Sequence, residues 1–523
     1  MRLRRRGLAS INSEIRDGIM PAADTIARVA KDPDALPHTP SNYRVTALII
    51  ACALFMEQMD STVLATALPT MARDFGVPAT SMSAALTSYL LALAIFIPAS
   101  GRLADRFGSR TIFRAAILIF VGGSMLCGQA TSLPFMMVAR FLQGLGGAMM
   151  IPIGRLVLLR SVAKEDMVQA MSWLIMPALI GPILGPPVGG AIVTYLDWRW
   201  IFYLNVPIGL LGVVLVTRYI GEVREDKPAR FDVPGFILSG VSLGCLLFGF
   251  EMTSRTGELP RAVVLIAVGL VAGVAYIRHA KHRSDPILDL SLMRIPTFRL
   301  SVIGGSLTRI TQGAQPFLLP MMLQLGFGMT AAASGAITIA GAIGSLMMKS
   351  LAPRVLRRFG FRNSLIVGGL CASSGYAVAG LFRPDWPIPV IFAVLMISGF
   401  FMSFQFSAYN TIAYDEIPSS RMSSATSFYA TFQQLMLSLG ICVGAASLHV
   451  GMLATGATRP ALANFTLAFL VVTAVSASAT IWNRRFAVDA GAELSGHRAK
   501  SAVLAPIVIL TKVRTQGHER HRL

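Results

Sequence analysis

The chain has 523 residues, 54% of them hydrophobic and 14% charged, with a mean hydropathy of +0.63. Soluble domains carry about 25% charged residues, so a soluble enzyme or binding module is excluded, and the long apolar runs lack the alternation of a membrane β-barrel. The net charge of +20 does not argue for nucleic acid, because Lys and Arg collect in the cytoplasmic loops of polytopic membrane proteins.

Residues 1–43 open on MRLRRRGLASINSEIRDG. The stretch is basic but no apolar segment of a cleavable signal peptide follows, and it reads as a polar cytoplasmic tail. Residues 484–523 read as a second cytoplasmic tail. Between them, uncharged runs of 18 or more residues read as transmembrane helices. Fourteen are expected, at 44–68, 80–101, 111–130, 134–158, 167–194, 199–219, 233–253, 261–279, 300–324, 332–351, 364–382, 387–411, 422–448 and 463–482. The loops that face inward when both tails are inside hold most of the basic residues, among them Arg102, Arg106, Arg110, Arg224, Lys227, Lys281, Arg283, Arg354, Arg357 and Arg358. The outward loops hold Arg73, Arg199, Arg255, Arg261, Arg383 and Arg459. That bias predicts an inner-membrane, multi-pass protein with both termini cytoplasmic.

An internal repeat divides the spans. GRLADRFGSR, Gly101 to Arg110, is echoed by PRVLRRFGFR, Pro353 to Arg362, with Arg106, Phe107, Gly108 and Arg110 matching Arg358, Phe359, Gly360 and Arg362. Repeated six-helix halves mark secondary transporters. The expected organisation is a half over 44–220, a linker with two accessory spans over 221–299, and a second half over 300–483.

Ionisable residues inside spans are expensive and are functional candidates by default. Glu57 and Asp60 lie three apart, on one face of the first helix. Arg140 enters the fourth span near its outer end. Arg309 lies deep in the ninth and is expected to face a cavity and pair with a carboxylate. Arginine keeps its proton in proteins, so the titrating groups are carboxylates, Asp60 and Glu57 ahead of Glu251, which is expected near the membrane interface. Arg155 is expected to snorkel from the end of the fourth span. Gln433, or its neighbour Gln434, is a polar candidate for the cavity. Met149, Met150, Phe317, Met321, Met322 and Phe404 are the residue types that suit adaptable apolar binding. In GPILGPPVGG, Gly181, Gly185, Gly189 and Gly190 allow close helix approach, while Pro182, Pro186 and Pro187 favour a kink. His279 and His282 sit among Arg278, Lys281 and Arg283, which repel a cation. The five cysteines lie in apolar spans without a metal or disulfide pattern. No metal, no cofactor and no phosphate-binding loop is expected, and the short loops hold no nucleophile pattern of an enzyme.

With these residues in view, the chain resembles the major facilitator superfamily, in its fourteen-helix drug:proton antiporter branch, over residues 44–483. The resemblance rests on GRLADRFGSR after the second span, RFLQGLGGAMM from Arg140, GPILGPPVGG in the fifth span, and FMEQMDSTVLATALP, Phe55 to Pro69, in the first. Within that branch it is most similar to multidrug transporters of Gram-negative inner membranes. The resemblance implies an all-α polytopic membrane protein of the major facilitator fold, two six-helix halves plus two accessory helices. It implies roles in proton coupling for Asp60 and Arg140 and a gas-tight hinge at Gly181, Gly185, Pro186, Gly189 and Gly190. It also places a conformational switch at Gly101, Asp105, Arg106, Gly108 and Arg110. There Gly101 would admit a neighbouring helix, Asp105 would meet a helix start near Arg421 to Ser424, and Arg110 would pair with Glu165 or Asp166. The function expected is proton-coupled export of small amphipathic, drug-like molecules by alternating access. The alternatives are export of one metabolite or organic anion, and a membrane sensor that does not transport. The partners are a small-molecule substrate, protons and the lipid bilayer, with no nucleic acid, in a chain that can act as a monomer.

Overall fold

The computed structural model describes residues 43–162, 167–222, 224, 231–253, 257–283, 285–418, 421–457 and 459–496. Glu165 and Asp166, expected opposite Arg110, lie outside them. The first six long helices are α1 (Tyr43–Phe75), α2 (Ser83–Phe107), α3 (Ser109–Gly128), α4 (Leu133–Ser161), α5 (Met167–Tyr195) and α6 (Asn205–Tyr219), the last preceded by a single turn at Trp200–Tyr203. An accessory pair follows, α7 (Val233–Met252) and α8 (Leu259–Lys281). The second set is α9 (Pro296–Met321), α10 (331–359), α11 (361–380), α12 (Ile388–Ile412), α13 (Met422–Thr455) and α14 (Leu462–Asn483). Eleven helical stretches are long and apolar enough to cross a membrane, one of them holding both α10 and α11. Several helices run past the expected apolar spans, because a helix continues into the polar boundary as long as its backbone bonds are made.

Local chemistry sets the ends. Helices α4, α7, α8, α9 and α12 begin with proline in the first turn, where its missing N–H costs nothing. Thr330 accepts from Ala333 N to cap α10. The two halves of the sequence repeat turn on the same device: Gly108 has φ 96° between α2 and α3, and Gly360 has φ 69° between α10 and α11. Only glycine takes that conformation without strain. The matching arginines also repeat, Arg106 lying over Phe107 at 5.5 Å and Arg358 over Phe359 at 5.6 Å.

The proximal end of the bundle is where α1 begins, and the distal end is where it finishes. Within the first set, α1 packs along α5, and α3 and α2 pack on α4; within the second, α9 packs on α13 and α14, and α10 on α12. The sets meet through α5 against α10 and α2 against α13. The accessory pair docks by α7 on that α2–α13 seam, while α8 leaves Val263, Val264, Leu270 and Val271 exposed, as a lipid-facing helix does.

The linker after α8 ties both sets together at the proximal end. Arg102 of α2 pairs with Asp285 at 2.8 Å, and Arg421 at the start of α13 pairs with Asp289. Tyr276 of α8 both donates to Leu288 O and accepts from Leu288 N at 2.8 Å. Asp232 caps α7 through Gly235 N and accepts from Ile287 N, with His279 Nε2 at 2.8 Å and Arg283 Nε at 3.6 Å. His279 therefore serves a carboxylate. Burial pushes the Asp232 carboxyl up, but the bonds from His279, Gly235 and Ile287 outweigh it and hold the group below the usual range. A depressed folded value means that the stabilisation is complete above the unfolded aspartate value of about 3.9. It is lost as the pH falls further, through the folded value. Asp232→Asn is expected to lower stability by about 1–3 kcal/mol at neutral pH, and the gap in thermal unfolding should shrink at pH 3. A gap of the same size at pH 3 would assign the effect to side-chain shape.

Candidate functional site

A polar cluster lies buried among α1, α3, α4 and α6. Arg140 Nη1 donates to Asp60 Oδ2 at 2.7 Å, and both side chains are essentially inaccessible. Gln143 Nε2 and Asn205 Nδ2 donate to Asp60 Oδ1 at 2.9 and 3.0 Å. Arg140 also donates to Gln143 Oε1 at 2.6 Å, and Ser124 Oγ sits 3.3 Å from Gln143 Nε2 and 3.0 Å from Asn205 Nδ2. The guanidinium lies over the Tyr89 ring at 4.5 Å. Such closure is what a charge at this depth requires, since an unpaired buried ion costs several kcal/mol. Small residues make it possible. A Cβ at Gly147 would come within 2.8 Å of the Tyr89 hydroxyl, and one at Gly123 within 2.6 Å of the Gln143 backbone.

Glu57 differs from Asp60. It is 4% exposed, it interacts electrostatically with Asp60, and its Oε2 has no hydrogen-bond partner among the described residues. The Tyr89 hydroxyl, which faces the same pair, also makes no hydrogen bond to a described residue. Glu57 and Asp60, expected on one face of α1, lie together, and Arg140 joins them, a pairing that the sequence reading did not predict. Gln143, Asn205, Ser124 and Tyr89 were missed by the sequence reading. Gln143 had a signal, three residues from Arg140 and so on the same helix face.

A cavity of about 310 Å³ opens between the two sets of helices. Its walls come from α1 (Thr62, Ala65, Thr66), α5 (Pro182, Ile183, Pro186), α9, α10 and α12. None of the six expected coupling and cavity residues, Glu57, Asp60, Arg140, Arg309, Gln433 and Glu251, lines it. Thr62 lies about 200° around α1 from Asp60, so α1 presents hydroxyls to the cavity and its carboxylates to the polar cluster behind. The sulfur and aromatic residues named from sequence are core: Met149, Met150, Phe317, Met321, Met322 and Phe404 are all at most 5% exposed. Met402 and Phe406 line the cavity instead, and so does Lys349 of α10, which the sequence reading passed over.

The remaining candidates fall into separate places. Arg309 is 2% exposed, thirteen residues and about 20 Å into α9. The carboxylate partner expected for it is not found among the described residues. It faces Gln312 Oε1 at 3.4 Å and lies over the rings of Phe406 at 4.7 Å and Tyr429 at 5.8 Å; aromatic faces stand in for the counter-ion. Gln433 Nε2 donates to Asn410 Oδ1 at 2.7 Å, joining α13 to α12. Glu251 lies in the last turn of α7, where the sequence placed it, and is 1% exposed because α2 and α13 cover that end. It accepts from Ser83 Oγ at 2.6 Å and Cys442 Sγ at 3.5 Å, apart from Asp60. Arg155 is exposed.

The glycines of α5 divide their work. Cβ atoms at Gly181, Gly185 and Gly189 would run into α1, whereas one at Gly190 would run into the Ala331 carbonyl of α10. Across the same seam, Gly335 of α10 meets the Pro186 carbonyl. Nearby, Ala332 N donates to Thr194 Oγ1 and Gln324 Nε2 to Thr66 O, each at 3.0 Å. These contacts join the two sets at the distal end. Helix α5 is one continuous helix through Pro182, Pro186 and Pro187. Near the end of α2, Gly101 has open space where a Cβ would stand, so no neighbouring helix among the described residues approaches it here. Arg110 donates from Nη1 to Ile220 O at 3.4 Å. Its backbone N and the Thr111 hydroxyl reach the Glu222 carboxylate at 3.0 and 2.6 Å, capping α3. Glu222 had no sequence signal, lying more than a hundred residues away in the chain.

A family model described as Major Facilitator Superfamily matches residues 50–441. A protein of Escherichia coli O6:H1 named "Putative multidrug resistance protein MdtD" is 37% identical over 413 residues, covering 77% of this chain and 86% of the relative. The protein of the same name from Pectobacterium atrosepticum is 34% identical over 456 residues, covering 85% and 96%. Among solved structures, a D-xylose-proton symporter matches with TM-score 0.60 at 15% identity, covering 85% of this chain and 98% of the other. The POT family transporter PepTSo matches with TM-score 0.62 at 13% identity, covering 84% and 96%. At such identities the likeness is one of fold.

Proposed function

The chain belongs to the Major Facilitator Superfamily, and from that premise we propose that this multi-pass membrane transporter exchanges protons for a small amphipathic molecule, which it exports. The observation that carries the proposal is Glu57. It is a buried carboxyl with a partnerless oxygen, three residues from the closed Asp60–Arg140 pair, on the helix whose opposite face lines the cavity. Asp60 is saturated with donors and holds α1 to α4 and α6. Glu57 is the group left to take up and give off a proton. A change of charge there acts on α1, and α1 carries Thr62 and Thr66 to the substrate.

The distal seam between α5 and α10 is the contact that must part when access alternates, as one half rocks against the other. Asp105, meeting the start of α13, and Arg110, meeting Glu165 or Asp166, are the counterparts at the proximal end in that second state. Gly101 then supplies the room that a closer helix needs. The Lys/Arg bias supports a proximal end facing the cytoplasm and residence in a bacterial inner membrane. The relatives' printed name, multidrug resistance protein, supports drug-like substrates.

In proteoliposomes of the purified protein, an imposed proton gradient is expected to drive uphill movement of at least one member of a panel of amphipathic cations, neutral compounds and anions. Uphill flux of no member would leave a transporter without proton coupling. An impermeant maleimide should label Asp385→Cys in intact cells; protection there would reverse the orientation.

A further inference from the structure

The cavity is lopsided in charge. Lys349 is the one ionised side chain among its described lining residues, and the rest of the wall is Thr, Ser and Gln on an apolar surface of Pro, Ile, Leu and Met. Glu57 and Asp60 of α1 are turned away from it. Behind the cavity wall stands a second cation. Phe406 lines the cavity and its ring covers the Arg309 guanidinium at 4.7 Å. Arg309 is 2% exposed, yet its Nε and Nη2 make no well-aligned hydrogen bond among the described residues. The Tyr429 phenol is within hydrogen-bonding reach of both Arg309 and Gln433 without a well-aligned bond to either, and Gln434 Oε1 on the same helix has no partner among the described residues. Buried donors are normally satisfied, and a buried cation normally has an anion. Among the described residues the guanidinium has only neutral neighbours, Gln312, Phe406 and the tyrosines, and a bound ligand would supply the missing anion.

We propose that Arg309, with the Tyr429 phenol, is an anion subsite for the exported molecule, opened to the cavity when Phe406 swings aside, and that Lys349 attracts the same charge. The inference rests on the exporter reading above and names its substrate class: an organic carboxylate or other oxyanion with an apolar body. The guanidinium presents parallel N–H donors that match a carboxylate edge. The apolar body lies against Pro182, Ile183, Pro316, Leu319 and Met402. An amphipathic cation finds no carboxylate on this wall and meets Lys349.

The test uses three probes of one shape with the full-length protein: 2-naphthoate, 2-naphthamide and 2-naphthylmethylammonium. Binding is read by calorimetry in detergent and flux in proteoliposomes. Wild type is expected to bind the carboxylate roughly ten- to a hundred-fold more tightly than the amide, the range that a charge-assisted hydrogen bond supports. Arg309→Gln should remove that preference, and Lys349→Gln should weaken the carboxylate several-fold while leaving the amide alone. Phe406→Ala should tighten the carboxylate by removing the lid. Tighter binding of the ammonium or amide than of the carboxylate in wild type would overturn the proposal. If Arg309→Gln is recovered unfolded, Arg309→Lys and Phe406→Ala carry the test. Arg309→Lys should keep carboxylate binding within about ten-fold, given a retained charge without the bidentate fork, and unchanged affinity in both Phe406→Ala and Lys349→Gln would overturn the proposal. Proton-driven flux of the ammonium alone would sink the anion subsite and keep the exporter reading. Carboxylate binding without proton-driven flux of any probe would do the reverse.

Discussion

Asp60→Asn is expected to abolish proton-driven export and to lower the stability of the folded protein by about 3–5 kcal/mol. The carboxylate accepts from Arg140, Gln143 and Asn205 at 2.7–3.0 Å in a site without solvent. An amide of nearly the same shape offers one acceptor oxygen and two N–H donors to this ring of donors. It leaves the Arg140 charge buried and uncompensated, which is the costly case for a buried pair. Replacing both members removes that charge. Asp60→Asn combined with Arg140→Gln should therefore regain at least half of the lost stability in thermal unfolding without regaining flux. A single Asp60→Asn protein as stable as wild type would mean that the pair is not what holds α1 to α4. A double variant that exports against a gradient would remove both residues from coupling.

Glu57→Gln is expected to change stability by less than about 1 kcal/mol, the usual scale where no buried pair is broken, and to eliminate uphill export. Its Oε2 already lacks a partner, so an amide there breaks no bond made by that atom. What it loses is the capacity to carry a proton. Downhill exchange of substrate across the membrane should survive, because the cavity and the distal seam are untouched, while accumulation against a gradient should fall to background. The two carboxyl variants thus separate: Asp60→Asn fails in folding and in transport, Glu57→Gln in coupling alone. A Glu57→Gln protein that concentrates substrate as wild type does would move the proton site elsewhere, with Glu251 the next buried carboxyl to test.

Much of the fold was legible because lipid leaves few choices. Apolar runs of membrane length gave the helices, and the RFG repeat gave two matching halves whose joints, Gly108 and Gly360, both take positive φ. Buried charge was legible for the same reason, since Glu57, Asp60, Arg140 and Arg309 stand out against their spans. Their partners were not. Asn205 and Ser124 carry no charge to mark them, and they reach the cluster only because α6 packs beside α1 and α3 packs on α4 and α6. The rule that a deep arginine meets a carboxylate failed at Arg309, where aromatic rings from α12 and α13 surround it. Lys349 lay hidden near the end of its span, beside the basic loop at Arg354 to Arg362. Which face of α1 meets the cavity could not be read at all, because it depends on where α5, α9 and α10 stand. The glycines of α5 show the same limit: their spacing announced close packing, but only the structure assigns Gly181, Gly185 and Gly189 to α1 and Gly190 to α10.

The most direct test of the central claim counts protons against substrate. Proteoliposomes are loaded with a pH-sensitive dye at equal pH on both sides, and a substrate gradient is imposed with the exporter panel member that wild type moves best. For wild type, substrate running down its gradient should drive protons the opposite way, and the lumen pH should shift in step with the flux. For Glu57→Gln, substrate should still move while the lumen pH stays flat. A pH shift in Glu57→Gln equal to that of wild type, or wild-type flux with no pH shift, would contradict the account.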